Sequence, residues 1–280
     1  MCEMTMEKLC SHIGLPVSYA LSGQISAQRE GALKKLFKED ESGFYNALEK
    51  EEKPYQEALY LYTKWGAQAW DDYKKAGISE KVYYDTFKDL NIWCSHCIAE
   101  TGKPGMKQYR WTSLPLRMKI FRLGRLQFEP ATLRDTLDYK GYILKAGTPV
   151  LEVHIPEGSS LTPVEARKSF VAAVSFFEDV VPYECVGFFC ESWLLSPKLK
   201  EILPETSNII RFQDCFSVCD EKPARQAEER VFGKVLDQVE DYQEDTSLRR
   251  GLKNYLRKGG KVGMGCGFIP LETYREGVSL

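Results

Sequence analysis

The sequence has no excess of charge of either sign. Its 280 residues include 38 Lys and Arg against 40 Asp and Glu, which gives a formal net charge of −2. Proteins dedicated to nucleic acid usually carry a clear basic excess, so we expect no nucleic-acid partner. A chain of this length can bury a sizeable core as one large domain or two ordinary ones.

Long hydrophobic runs are also missing. No stretch of about 18 apolar residues occurs, and residues 1–4 lack the charged and apolar regions of a signal peptide. We therefore expect a cytoplasmic protein without a membrane partner. The nine cysteines are odd in number and scattered along the chain, which is typical of free thiols in a reducing compartment.

Candidate metal ligands are few. The sequence has three histidines, and Cys94 and Cys97 have the spacing of a zinc knuckle or a thiol redox pair. A structural zinc site needs a second pair at comparable spacing, which Cys215 and Cys219 do not supply. Cys94 and Cys97 also lie on the apolar face of a predicted helix, which favours buried structural cysteine. We expect no metal.

Helical periodicity dominates the first third of the chain. Apolar residues recur every three or four positions from Tyr55 until Gly77 closes the pattern. A second pattern of the same kind begins near Ser79. Residues 101–105 break this periodicity and are a candidate domain boundary.

Beyond this point the period of the apolar residues changes to two, as in residues 116–120, which predicts strands. Further predicted elements include a strand over residues 209–218 and a helix over residues 223–242. We predict an α+β protein. A helical N-terminal domain, residues 1–120, precedes a mixed, mainly antiparallel sheet flanked by helices, residues 121–280.

Two segments have the composition of phosphate sites. Six basic residues follow one another without an intervening acid: Lys107, Arg110, Arg117, Lys119, Arg122 and Arg125. They could meet a phosphorylated cofactor, and a solvated strand face explains them equally well. The glycines of residues 259–267 follow a predicted helix and open none. They therefore indicate a strand that another strand or a ligand approaches closely, rather than a phosphate loop.

A strand, a loop, a helix and a second strand organise the C-terminal part. Residues 150–155 are predicted to form a buried strand between two prolines, and the polar loop 157–160 follows. Thr162 can cap a helix whose first residue is a proline. Residues 185–190 form a second predicted strand. Ligands often bind at the strand ends of such a βαβ-like unit.

Polar residues stand at the ends of these two strands. His154 could act as a general base near neutral pH, and Glu191 beside Ser192 could take a proton from an incoming amine. The alternatives are a structural histidine for His154 and a capping or surface role for Glu191. No Gly-x-Ser-x-Gly elbow surrounds any serine, which argues against a serine hydrolase.

Three stretches carry a resemblance to a known family. They are Val-His-Ile-Pro with Gly158 in residues 153–158, Cys-Glu-Ser-Trp-Leu-Leu in residues 190–195, and Leu-Pro-Glu-Thr-Ser-Asn-Ile-Ile-Arg-Phe in residues 203–212. On these residues the chain resembles the GNAT-like acyltransferase-domain family, which occurs widely in bacteria. The resemblance spans most of the chain. It implies a helical N-terminal domain, a GNAT-like C-terminal domain, and acyl transfer from acyl-CoA or acetyl-CoA to an amine of a small molecule or peptide.

The resemblance also implies where acyl-CoA would bind. The first strand would splay from its neighbour to admit the pantetheine arm, and the loop and helix start after it would face the pyrophosphate. The residues implied for binding are Ile155, Gly158, Ser159, Ser160, Asn208 and Arg211. Glu191 or His154 would be the base, and the backbone around Ile155 and Ser192 would orient the substrate and contact the oxyanion.

One position departs from the family's usual pattern. The GNAT loop usually has a basic residue or glutamine followed by closely spaced glycines, whereas here Gly158 stands beside Glu157. An acid at this place repels phosphate. A second hypothesis is therefore a non-catalytic ligand-binding or interaction module that retains the fold. The sequence leaves the oligomeric state open, a homo-oligomer included.

Overall fold

The computed structural model describes residues 3–275. The chain divides into two compact units, Met1–Leu123 and Gly124–Leu280. The first is helical and the second carries a sheet flanked by helices, which confirms the predicted α+β class. Within the described range, no helix combines the length and the apolar character needed to cross a membrane.

Unit 1 consists of helices followed by one short strand. Its elements are α1 (Met6–Ile13), α2 (Val17–Leu21), α3 (Ala27–Glu39), α4 (Glu41–Glu49), α5 (Pro54–Lys75), α6 (Glu80–Phe87), α7 (Asp89–Thr101), α8 (Tyr109–Thr112) and β1 (Phe121–Leu123). Ser26, Asp40 and Ser79 each cap a helix by accepting a backbone N–H three residues ahead. The long helix α5 confirms the periodicity predicted from Tyr55, and Gly77, at φ 74°, turns the chain after it.

The interior of unit 1 is built largely from aromatic rings. Its fully buried side chains include Phe44, Tyr62, Tyr73, Tyr83 and Phe87. The Tyr73 hydroxyl donates to the carbonyl of Pro115 at 2.9 Å, and the Tyr83 hydroxyl donates to the carbonyl of Gly66 at 2.8 Å. Burial raises the pKa of both phenols, so they stay protonated donors.

Two expectations for unit 1 were wrong. Residues 101–105 lie inside the unit, where the N–H of Met106 donates to the carbonyl of Tyr55 at 2.8 Å. Residues 116–120 form no strand, because they lie in and just after the 3₁₀ turn Pro115–Arg117. Alternation over five residues does not separate a strand from a turn whose apolar side chains happen to pack inward.

Unit 2 contains the sheet. Its strands are β2 (Leu126–Thr132), β3 (Leu137–Tyr139), β4 (Tyr142–Leu144), β5 (Pro149–His154), β6 (Gly187–Ser192), β7 (Ser217–Lys222) and β8 (Met264–Pro270). Its helices are α9 (Pro163–Ser175), α10 (Asn208–Gln213), α11 (Gln226–Phe232) and α12 (Ser247–Arg257). Five strands lie side by side in the order β2-β5-β6-β8-β7, and β3 and β4 form a separate hairpin. Among these five, β5 and β6 pair in parallel and the other neighbours pair antiparallel, which confirms the mixed, mainly antiparallel sheet.

Helix α9 packs on one face of the sheet through Phe170. This ring is fully buried, and its centroid lies 5.9 Å from that of Phe128 and 5.0 Å from that of Phe188. The helix begins as predicted, because the Thr162 hydroxyl accepts the N–H of Glu165 at 3.3 Å. The buried aromatic contacts therefore fix the middle of α9 against β2 and β6.

Two elements of unit 2 differ from their prediction. Residues 209–218 form α10 and the start of β7 instead of one strand, because Ser207 caps a helix by accepting the N–H of Ile209. The apolar residues of this segment alternate over too few positions to distinguish a strand from a short helix. In residues 223–242 an α-helix covers only Gln226–Phe232, and Gly233, at φ 77°, ends it.

Gly263, Gly265 and Gly267 lie where the chain is crowded. A Cβ atom added to Gly265 on β8 would lie 2.2 Å from the carbonyl oxygen of Leu195. The segment that approaches this strand is therefore the turn after β6, which explains why this residue is a glycine. This confirms that the glycines mark a closely approached strand.

Candidate active site

Strands β5 and β6 separate partway along their length. Their parallel pairing consists of two registered pairs, Leu151 with Phe188 and Glu152 with Phe189. Both strands nevertheless continue, β5 to His154 and β6 to Ser192. Residues 153–154 and 190–192 are therefore not joined by the sheet's ladder, and we call this unpaired stretch between the two strands the opening. This is the splay that the sequence resemblance predicted for the first strand.

His154 and Glu191 lie on the same face of the sheet beside this opening. Side chains of registered residues share a face, and alternate residues return to it, so His154 and Glu191 follow Glu152 and Phe189 on that face. The opposite face carries Val153, which is buried. We call the first of these surfaces the polar face.

Glu129 completes a close group with His154 on the polar face. The His154 Nε2 atom lies 3.2 Å from the Glu129 Oε2 atom, and both side chains are about one quarter exposed or less. A carboxylate only accepts, so Nε2 carries the proton of this hydrogen bond. In the neutral ring Nδ1 is then the basic nitrogen. The contact fixes which nitrogen could receive a proton from a substrate.

Glu129 and Glu152 form an unusual cross-strand pair. They lie directly opposite one another on β2 and β5, and their carboxylates and the His154 ring lie within 4.8 Å of one another. Like charges in directly opposite positions destabilise a sheet. Among residues 3–275 this is also the one group of His, Cys, Asp and Glu side chains close enough to hold a metal ion. The arrangement favours a cationic group beside His154.

Gln127 lies next to this group. It is registered opposite His154, it is 1% exposed, and its Nε2 atom is buried without a hydrogen-bond partner among the described residues. A buried donor without an acceptor costs about 1–3 kcal/mol. Sequence reasoning missed Gln127, Glu129 and Glu152, because only the register of β2 against β5 brings them to His154.

Glu191 has a different environment. Its Oε2 atom lies 3.6 Å from the Nζ atom of Lys222, and Lys222 in turn contacts Asp135 at 3.0 Å. The hydrogen bond to Asp135 and then the charge of Glu191 raise the pKa of Lys222, so the ammonium stays charged. Glu191 is therefore paired with a cation, whereas His154 lies against a carboxylate.

Arg125 shapes the loop that follows β5. Its side chain is buried, and its Nε and Nη1 atoms donate to the carbonyls of Ser159 and Pro156 at 2.7 and 2.6 Å. Gly158, at φ 137°, lies between these two carbonyls in a conformation that other residues rarely adopt. Arg125 is one of the six basic residues that were candidates for phosphate binding, and its side chain binds backbone carbonyls of the protein.

The loop also contacts α10. The Nδ2 atom of Asn208 donates to the Ser160 hydroxyl at 2.9 Å, so these two predicted residues lie together. Arg211 follows one turn later on α10 and is exposed. Ile155 directly follows β5, and the hydroxyl of Ser192 accepts the N–H of Leu194 at 3.2 Å. The structure therefore brings Ser160 and Asn208 together, and the Ser192 hydroxyl caps the turn after β6.

Arg125 offers a test of how the loop is held. We expect Arg125→Lys to lower the free energy of unfolding by about 1–3 kcal/mol, because one ammonium cannot replace a fork that serves two carbonyls. Chemical denaturation followed by circular dichroism measures the change. Arg134→Lys is the matched control, since Arg134 is exposed, and its effect should stay within about 0.5 kcal/mol. Equal effects of the two substitutions would contradict this role of Arg125.

The candidate zinc or redox pair of unit 1 is Cys94 and Cys97. Both are buried, 1% and 2% exposed, on α7. Burial raises the pKa of Cys94, which makes its thiol less reactive. Both cysteines are therefore buried, as their position on the apolar face of a helix predicted.

Comparison with known proteins gives the same division of the chain. The family model described as GNAT-like C-terminal domain matches residues 120–269, and the model described as N-acyltransferase N-terminal domain matches residues 4–118. No curated protein matches the sequence significantly.

Solved structures share the fold. A crystal structure of an acyltransferase in complex with decanoyl-CoA and teicoplanin is 24% identical, with a TM-score of 0.76, and the match covers 95% of this chain and 87% of that one. An acyltransferase in complex with decanoyl-CoA is 23% identical, with a TM-score of 0.77, over 94% and 86% of the two chains. Because the GNAT-like model spans more than half of the sequence, the chain belongs to the family of proteins with a GNAT-like C-terminal domain.

Proposed function

We propose that the protein is an acyl-CoA-dependent N-acyltransferase that moves an acyl group to an amine. The observation that carries this proposal is the opening between β5 and β6, with His154 and Glu191 on one face beside it. The N-acyltransferase description of the N-terminal family model supports it. So do the solved structures of similar fold, which are acyltransferases in complex with acyl-CoA.

Acyl-CoA would lie along the opening. The pantetheine arm is an extended chain of amides, and it would take the place of a strand beside the backbone of β5 up to Ile155. Ser159, Ser160 and the first N–H groups of α9 would face the pyrophosphate, since a helix start favours negative charge. Asn208 and the exposed Arg211 would complete this end, and Gly158 would let the backbone approach.

The reaction needs one proton acceptor and one leaving group. The amine nitrogen attacks the thioester carbon, the C–N bond forms, and the C–S bond breaks. An ammonium acceptor loses two protons. His154 would accept the first before the attack, and the second would pass from the nitrogen of the tetrahedral intermediate to the sulfur of CoA, which leaves as a thiol. Glu129 would hold the imidazole through its hydrogen bond. Glu191 is the second candidate for the base, and its ion pair with Lys222 makes it the weaker one.

The acceptor is proposed to be a small-molecule amine that arrives protonated. Glu129 and Glu152 place two carboxylates within 4.8 Å of His154, and an alkylammonium would relieve their repulsion. The same acidic surface would bring the amine to the base that deprotonates it. One of the similar solved structures contains teicoplanin together with decanoyl-CoA.

Calorimetric titration with CoA and decanoyl-CoA tests the proposal. We expect saturable binding, and we expect Ser160→Glu to weaken it at least about tenfold, because a carboxylate would face the pyrophosphate. Ser175→Glu is the matched control, since Ser175 is exposed and ends α9, about 18 Å along the helix from its first residue Pro163. Release of free CoA thiol in the presence of small amines then reports transfer.

The alternative is a non-catalytic binding module. Glu157 favours it, because its exposed carboxylate lies in the loop that would face the pyrophosphate. Under this alternative neither CoA nor any acyl-CoA binds. Equal affinities of the Ser160→Glu and Ser175→Glu proteins would also count against binding through this loop.

A further inference from the structure

Unit 1 contains a surface cavity of its own. Its volume is about 370 Å³, which lies within the range of small-molecule sites. The lining side chains used below are Lys34, Phe37, Lys38, Trp65, Asp72 and Arg117. All of them come from α3, α5 and the turn after α8, so the cavity does not depend on the proposed active site of unit 2.

The charges around this cavity are not balanced. Lys34, Lys38 and Arg117 are positive, and Asp72 is the one acidic side chain in the lining. Asp72 already lies 3.7 Å from the ammonium of Lys75. Burial and then the neighbouring charge of Lys38 lower the pKa of Lys34. Three cations and one anion therefore leave the lining with a formal charge of +2.

Arg117 is the most deeply placed of the three cations. Its side chain is 16% exposed, and its Nε and Nη2 atoms are buried without a hydrogen-bond acceptor among residues 3–275. The nearest carboxylate oxygen, that of Glu41, lies 3.9 Å from Nη2, too far for a hydrogen bond. A guanidinium that has lost water without gaining an acceptor is costly. An anion in the adjacent cavity would compensate this charge.

Aromatic rings form the apolar part of the lining. The Arg117 guanidinium lies 3.9 Å from the centroid of the Phe37 ring, a cation–π contact that fixes both groups. The Trp65 ring is 5.2 Å from Phe37, and its Nε1 atom donates to Glu30 at 3.2 Å. The two rings are thus held in place, and since Phe37 is 8% and Trp65 4% exposed, each presents only an edge to an apolar ligand body, without further ordering.

We infer that this cavity binds a small organic anion, a carboxylate or phosphate monoester with a flat apolar body. Lys34, Lys38 and Arg117 would face the charged group, and Phe37 and Trp65 would contact the apolar body. The proposal assigns a second ligand site to the helical unit. It stands whether or not unit 2 transfers acyl groups.

Calorimetry on the full chain with 1-naphthyl phosphate and 1-naphthoate tests this inference. We expect at least one of them to bind with a dissociation constant near or below about 1 mM, as a well-matched fragment does. The tighter of the two identifies the charged group. Inorganic phosphate should bind more weakly, because it lacks the apolar body. The absence of saturable binding of both aromatic anions up to ~5 mM would overturn the proposal.

Matched variants locate the binding. Lys38→Glu should weaken it at least tenfold, whereas Lys35→Glu should leave it unchanged, since Lys35 is exposed on the same helix and does not line the cavity. Arg117→Gln should also weaken binding. If the Arg117→Gln protein fails to fold, Lys38→Glu still decides the test, because Lys38 is exposed. Equal weakening by Lys35→Glu and Lys38→Glu, or inorganic phosphate binding as tightly as naphthyl phosphate, would overturn the proposed site.

Discussion

Replacement of His154 by Asn is expected to lower kcat of acyl transfer by about 10²–10⁴-fold, the usual contribution of a positioned general base. The substitution removes the basic nitrogen while keeping a polar side chain of similar reach. Affinity for decanoyl-CoA should stay within about twofold, because the loop that would hold the phosphates is fixed by Arg125 and not by His154. Steady-state assays of CoA release, together with calorimetry, measure the two quantities separately.

The control for this experiment is His96→Asn. His96 is exposed on α7 in unit 1, so its replacement should leave both kcat and acyl-CoA affinity unchanged. Full activity of the His154→Asn protein would exclude His154 as the base. In that case Glu191→Gln becomes the informative variant, since Glu191 is the other candidate on the polar face. Loss of acyl-CoA binding in His154→Asn would instead indicate a binding role.

Local signals in the sequence predicted the elements that place the site. The cap at Thr162, the proline after it and the helical spacing around Phe170 depend on neighbouring residues, and α9 begins where they indicate. Strand β5 begins at Pro149 and ends before Pro156, and its buried residues Val150, Leu151 and Val153 are apolar residues visible in the sequence. The segment at residues 209–218 had a cap at Ser207 but no proline after it. Its alternating apolar residues fit a strand and a short helix equally.

The group around His154 could not have been found in the same way. Glu129 precedes His154 by 25 residues, and the hairpin β3–β4 lies between them in the chain. Which residue of β2 faces His154 is set by register, and a shift of one residue would send Glu129 to the opposite face. Register depends on packing of both strands against the rest of the sheet. The sequence therefore predicted the candidate base, and the structure was needed to find its partner.

Truncation of a side chain in the core that supports α9 has the largest expected effect on stability. Phe170→Ala should lower the free energy of unfolding by about 3–5 kcal/mol, the usual cost of truncating a fully buried aromatic side chain. Phe170 is 0% exposed, and its ring contacts Phe128, Phe188, Phe216 and Tyr274, so removal leaves a cavity with several walls. Guanidinium denaturation followed by far-UV circular dichroism measures the change.

Val164→Ala is the control on the same helix, because Val164 is 62% exposed and its truncation should cost less than about 0.5 kcal/mol. A small effect of Phe170→Ala would mean that α9 is held by other contacts.

The Phe170→Ala protein also tests whether the core supports the candidate site, because the aromatic core fixes α9 and α9 begins directly after the loop. If that loop binds the pyrophosphate, the folded Phe170→Ala protein should bind CoA more weakly than the Val164→Ala protein. Equal CoA affinities would show that Arg125 and Asn208 hold the loop without support from the core.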